Sequence, residues 1–255
     1  MSGWIQTRRP ASPFLLGSKW GYTYVAGWAV QTDGAHEVKD HTVFNLDKQS
    51  AESAALLGPH ISLYQVHSAT LESGVLTSPD VLRALAALKA DRGWRLGLSV
   101  SGPSQAGALR LALGLRALDG ARLFDAAQVT CNLFEQAALP ALREAAAAGL
   151  SIIVKEGVAN GRLLRPPGDA RLAPLMDAAA ELRCSPDALA LAWIMAQPFR
   201  PMVLSGASTP EQLASNAAAL ELAPRLSPAL VARLGEAMRQ DSGAFWAERA
   251  ALPWN

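Results

Sequence analysis

Six short β-rich runs that alternate with longer Ala/Leu-rich stretches, apolar at helical spacing, predict a parallel α/β protein of the TIM-barrel type. The chain has 255 residues, 50% hydrophobic and 18% charged. That is enough for one large core and close to the usual length of a single α/β barrel. Strands that alternate with helices pair in parallel, because a parallel neighbour is reached only through a crossover. A closed barrel needs about eight such units and about six can be counted, so the barrel reads as incomplete. No linker or low-complexity stretch divides the chain. It reads as one domain over 1–255, with an N-terminal segment at 1–13 and a tail at 240–255.

The first strand is "FLLGSK" (14–19). Residues 20 to 48 are polar without a clear period and read as a large loop. "ISLYQV" (61–66) is the second strand and runs into His67. "SPDVLRALAALKADRG" opens on serine and proline and closes on glycine, the start and stop signals of a helix. "RLGLSV" (95–100) and "FDAAQVTC" (124–131) precede the helical "SQAGALRLALGLRAL" and "EQAALPALREAAAAG". "SIIVK" (151–155) comes before "SPDALALAWIMAQ", and "PMVLSG" (201–206) leads into "GASTPEQLASN" (206–216). There Thr209 suits the cap, Pro210 the first helical position, and Glu211 and Gln212 the first turn. Free backbone N–H groups at such an end attract phosphate. A last helix (227–239) is followed by an aromatic-containing tail placed to fold over one mouth of a barrel.

Charge and composition exclude several classes. Twenty-three basic residues against 22 acidic ones leave +1, with no basic stripe for nucleic acid or an anionic membrane. The N-terminus lacks the apolar run of a signal peptide. "ALALAWIMA" (188–196) is far short of the roughly 20 residues that span a bilayer. Cys131 and Cys184 stand far apart in apolar segments, which suggests reduced, buried thiols and a cytoplasmic setting. No H-E-x-x-H, C-x-x-C or Walker loop occurs, so no metal is expected.

In a βα barrel the functional side chains lie at the C-terminal ends of the strands. Those ends carry Lys19, His67, Ser99, Gln128 with Asn132, Lys155, and Ser205 with Gly206. The set is polar and cationic, with no carboxylate cluster. A lysine ending an apolar strand is costly unless paired or functional. His36, His41 and His60 stand in polar or loop contexts and receive no role, and Trp20 and Trp246 are placed at pocket edges.

"LYQVHS", "AQVTCNL" and "GASTPEQLASN", in this order on successive strand ends, resemble the aldo-keto reductases. "FLLGSKWG" resembles the family's third strand, and "LALAWIMAQP" the helix before its eighth. The resemblance runs from about residue 14 to 238. It implies an (α/β)8 barrel, NADP(H), and reduction of a small-molecule aldehyde or ketone. It further implies catalytic roles for Lys19 and His67, with His67 orienting the carbonyl. Gln128, helped by Ser99, matches the contact to the nicotinamide carboxamide. Gly206, Ala207, Ser208, Gln212 and Asn216 match the loop and helix start that hold the adenosine phosphate, and Lys155 takes the place of an aromatic that stacks on the nicotinamide. Gly206 and Ala207 replace the Lys-Ser pair that many members set against the 2′-phosphate.

The family's aspartate and proton-donating tyrosine lie upstream of the lysine strand, and the 18 residues before Lys19 contain neither. The chain thus resembles the family without its first two β/α units, with impaired activity and possible self-association through an exposed barrel edge as the expectation. Tyr22 and Tyr24, three and five residues after Lys19, are candidates to replace the donor. Two other classes stand beside the reductase: a non-catalytic nucleotide- or partner-binding barrel, and a lyase forming a Schiff base on Lys155 or Lys19.

Overall fold

The computed structural model describes residues 14–27, 29, 31–164 and 168–252; the N-terminal segment 1–13 lies outside them. The elements in chain order are β1 (Leu16–Trp20), β2 (Tyr22–Tyr24), β3 (Glu37–Lys39), α1 (Val43–Leu57), β4 (Ile61–Val66), α2 (Pro79–Arg92), β5 (Arg95–Ser99), α3 (Gln105–Gly114), β6 (Ala126–Thr130), α4 (Leu139–Ala147), β7 (Ser151–Lys155), α5 (Ala173–Leu182), α6 (Pro186–Met195), β8 (Met202–Val203) and α7 (Pro210–Ala217). After the short helical stretch Ala219–Leu222 come the C-terminal helices Pro228–Met238 and Ser242–Ala250. The sheet follows chain order, β1-β4-β5-β6-β7-β8, and β2 and β3 form a separate hairpin. All six strands expected from the sequence are present, and β4 and β7 keep the expected limits.

The chain divides into two compact units. In the first, β1 pairs in parallel with β4, and β4 with β5. Leu16, Trp20, Ile61, Tyr64, Val66, Leu96 and Leu98 are buried there, each aliphatic contributing roughly 1.5–3 kcal/mol. Tyr64 packs against Trp94 at 5.2 Å between ring centroids, and burial pushes its phenol up to about 12. Helix α2 is bounded as its sequence demands. Ser78 precedes Pro79, and Gly93 takes the left-handed conformation (φ 66°) with its N–H donated to the Lys89 carbonyl. The stretch read as a loop is more ordered than its composition suggests, since it holds the β2–β3 hairpin and the start of α1. Thr42 caps that helix by accepting from the Asn45 N–H at 3.2 Å.

In the second unit β7 pairs in parallel with β8. Helix α6 is buried from Ala188 to Ile194, which explains its almost wholly apolar sequence. Trp193 fixes its own orientation by donating its indole N–H to the Val231 carbonyl at 2.8 Å. The C-terminal stretch forms a helix capped by Asp241, which accepts from the Ala244 N–H at 2.9 Å. Arg162 is buried against that helix. It donates to Glu248 at 3.1 Å and lies 4.2 Å over the Phe245 ring.

Candidate active site

Strand periodicity places the candidate residues of the first unit. In the parallel register Gly17 faces Leu63 and Lys19 faces Gln65. Successive side chains alternate between faces, so Lys19, Gln65 and His67 belong to one face of this sheet. Gly97 on β5 belongs to it too, because a Cβ there would stand 2.9 Å from the Gln65 Cγ. Two residues on, Ser99 shares the face; it is 1% exposed and its carbonyl accepts from the Ala69 N–H at 2.7 Å. The His67 N–H extends the β1–β4 ladder by donating to the Trp20 carbonyl at 2.8 Å.

Two features give this face its chemistry. Lys19 is exposed as a whole residue, yet desolvation around its ammonium holds its pKa below the ordinary lysine value. Gln65 is 6% exposed and its Oε1 has no hydrogen-bond partner. A buried amide oxygen without a partner is costly and marks a place where a polar ligand or water is expected.

The chain leaves β1 through Gly21, at φ 116°. A Cβ at that position would come within 2.5 Å of the His41 ring, so only glycine fits. Gln49 clamps the turn from both sides: its Oε1 accepts from the Gly21 N–H at 2.9 Å, and its Nε2 donates to the Tyr22 carbonyl at 2.8 Å. The Gly21 carbonyl accepts from the Asp40 N–H at 2.8 Å. The turn sets the Tyr22 ring edge-on to His67, with 4.7 Å between centroids and 64° between planes. Lys39, opposite Tyr22 in the hairpin, holds its ammonium 5.5 Å from the same ring and donates to the Ser68 carbonyl at 3.3 Å. His41 Nε2 stands 2.9 Å from the His67 carbonyl, and burial lowers the His41 pKa.

Sequence reasoning gave His41 no role and passed over Gln65, Gln49 and Lys39. The signal that could have revealed the turn is Gly21, which follows directly on β1. Trp20 is not a pocket-edge residue: it is 1% exposed and packs in the core 5.5 Å from His41. Tyr24 is turned elsewhere, its hydroxyl donating to the Ala29 carbonyl at 3.1 Å.

The second unit carries the other candidates. Gln128 is buried on β6, and the Oγ1 of Thr130, on the same strand face, has no partner. Asn132 shapes the loop after β6: its Oδ1 accepts from the Phe134 and Glu135 N–H groups, and its Nδ2 donates to the Glu156 carbonyl at 3.0 Å. At the end of β7 the Lys155 ammonium donates to Ser101 Oγ at 2.5 Å. Ahead of α7, Asn216 ties the loop to the helix by donating to the Ser205 carbonyl and Oγ at 3.0 and 2.8 Å. Gln212 Oε1 accepts from both the N–H and the hydroxyl of Ser208, and Thr209 accepts from the Gln212 N–H. Gly206 is left-handed (φ 66°), so the loop turns sharply with only small side chains from 205 to 208. Residues 205–216 contain no lysine or arginine, and Glu211 is exposed in the first turn.

Among solved structures, an aldo-keto reductase from Bacillus halodurans in its holo form aligns with 95% of this chain and 79% of its own, at 18% identity and TM-score 0.67. An aldo/keto reductase from Klebsiella pneumoniae, in complex with NADP and acetate, aligns with 94% of this chain and 76% of its own, at 20% identity and TM-score 0.64. A Pseudomonas aeruginosa protein assigned to the aldo-keto reductases is 25% identical over 83% of this chain and 68% of its own, with TM-score 0.59. These likenesses give the fold as that of the (α/β)8 reductases, to which the described residues contribute a six-stranded parallel sheet. A 79-residue stretch is 32% identical to a Schizosaccharomyces pombe protein named for a voltage-gated potassium channel subunit beta. It covers 30% of this chain and 23% of that relative's length. No helix of the described residues is long and apolar enough to cross a membrane. The model of the Aldo/keto reductase family matches residues 4–239, and the chain belongs to that family.

Proposed function

We propose that the chain is an oxidoreductase that uses NADP(H) to reduce a small-molecule aldehyde or ketone. The single observation that carries the reading is the orphaned Gln65 Oε1, buried on the strand face that also bears Lys19 and His67. A face with an unmet acceptor, a desolvated cation and an imidazole suits a polar group whose charge changes during reaction. His67, half-buried at the strand end, orients the carbonyl oxygen through a ring N–H. Lys19 supplies positive charge on the same face.

When bound, the reduced dinucleotide supplies hydride. In the second unit the residues proposed to hold it are Gln128, Lys155, Gly206, Ala207, Ser208, Gln212 and Asn216. They suit a dinucleotide in kind. A buried amide matches a carboxamide, and a tight small-residue loop before a capped helix presents backbone N–H groups to phosphate. Residues 205–216 themselves offer no lysine or arginine to a 2′-phosphate. A Schiff base on Lys155 is the weaker reading, because that ammonium already donates to Ser101. A cytoplasmic setting suits the free thiols of Cys131, which is buried, and Cys184, which is only half-buried where the sequence led us to expect burial. Self-association is proposed through edge strand β1, beside which Phe14 and Leu15 are 40% and 69% exposed.

The test is NADPH consumption with 4-nitrobenzaldehyde, alongside NADPH binding followed by nucleotide fluorescence. Saturable binding with turnover supports the reading. Binding without turnover favours a nucleotide-binding protein, and lack of binding refutes the reading.

A further inference from the structure

We propose that the second unit carries a docking groove for an acidic amphipathic helix of a partner protein, built from none of the residues assigned above to carbonyl reduction. The groove lies between α4 and the helix Pro228–Met238, with Trp193 at the end of α6 on its floor. It encloses about 720 Å³, and a second hollow of about 450 Å³ shares Arg143 and Pro198 with it.

The sequence builds both walls by the same rule. On α4, Leu139, Arg143 and Ala147 recur every four residues and so line the groove as one stripe. On the facing wall Val231, Gly235 and Arg239 recur at the same spacing. Gly235 lets that helix settle on the floor, since a Cβ there would stand 3.1 Å from the Trp193 ring. Each wall thus presents an apolar residue and an arginine one turn or two apart.

Charge selects the occupant. Arg143 and Arg239 in the groove and Arg200 at the second hollow are exposed. Among the described residues none of the three forms an ion pair, whereas Arg162, Arg171 and Arg249 of the same unit all pair with glutamate. Glu236 is the one carboxylate that lines either hollow among the described residues. A small carboxylate would meet the arginines but bring no donor for Gln240, which lines the groove with its Oε1 buried and without a partner. A helix brings acidic side chains together with the free N–H groups of its first turn. Its apolar face covers Leu139 and Val231, which are half-buried. Nine residues of α4 give the trough a length of about 14 Å, or two to three turns of a partner helix.

The experiment follows fluorescence anisotropy of a labelled peptide of about twelve residues, leucine at helical spacing with glutamate between, titrated with the full chain. The expected result is saturable binding with a Kd of about 10 μM or tighter. The same peptide with lysine for glutamate binds at least about tenfold more weakly. Arg143→Glu and Arg239→Glu, both at exposed positions, each weaken the glutamate peptide about tenfold and strengthen the lysine peptide, with Tm unchanged. Equal affinity for the two peptides, no binding of the glutamate peptide at about 1 mM, or indifference to both variants overturns the proposal. Displacement of the peptide by an equal concentration of glutarate overturns it in favour of a small-anion site. A wild-type dimer that ignores the peptide and becomes monomeric in Arg143→Glu overturns it in favour of a second copy of the chain.

Discussion

The β1–β4 strand ends of the first unit and the loop ahead of α7 in the second are both candidate site regions, built on opposite principles. The loop is satisfied within itself: Ser205, Ser208, Thr209, Gln212 and Asn216 meet each other's hydrogen bonds. The strand face is left unsatisfied, with a buried amide oxygen lacking a partner and a lysine whose charge is partly desolvated. A self-contained loop can hold a ligand through its backbone shape, whereas an unmet face gains only when a ligand arrives. The first arrangement suits binding, and the second suits chemistry.

Gly21→Ala gives the largest effect expected from breaking this contrast. The added methyl meets the His41 ring, and φ 116° is unfavourable for any L side chain. A loss of about 2–4 kcal/mol is expected in chemical denaturation, together with displacement of Tyr22 from His67. Gln65→Met sharpens the contrast. Removing a buried orphan acceptor at nearly constant volume raises stability by about 1 kcal/mol while lowering carbonyl turnover. A stability gain with unchanged turnover makes Gln65 structural only.

Asn216→Ala tests the loop. It removes both donations to Ser205 and weakens NADPH binding by about tenfold, with a small change in melting temperature. Without a cation between 205 and 216, NADPH and NADH affinities should lie within about tenfold of each other in a paired titration.

The smallest effect is a pH dependence. Burial, the largest influence on His41, lowers its pKa below the ordinary histidine value of 6.5. Below that value the unfolded chain takes up the proton first, so stability falls as pH drops from about 6.5 through the lower folded value, then levels off. Denaturation of His41→Gln across this window should lack that part of the slope.

What the sequence made legible follows from local chemistry. Strand limits such as Ile61–Val66 and caps such as Thr209 and Gly93 are set within a few residues, and they read directly. His67 and Lys19 were found as strand-end residues. The β2–β3 hairpin escaped because Tyr22–Tyr24 and Glu37–Lys39 are three-residue strands with no hydrophobic period. Tyr22 and Tyr24 both stood out beside Lys19, but which of them packs on His67 could not be read, for a related reason. Whether Tyr22 turns back depends on Gln49 and Asp40, which lie 27 and 18 positions further on and act through tertiary hydrogen bonds. The orphan state of Gln65 is a property of packing that no local pattern encodes.

The central claim, that the His67 face reduces a carbonyl with NADPH, is tested most directly by the rate of absorbance loss at the NADPH band with 4-nitrobenzaldehyde, for wild type and His67→Ala at equal NADPH saturation. The account predicts measurable wild-type turnover that falls about 100-fold or more in the variant with NADPH affinity retained. Equal rates in the two proteins, or no turnover by the NADPH-saturated wild type, would contradict it.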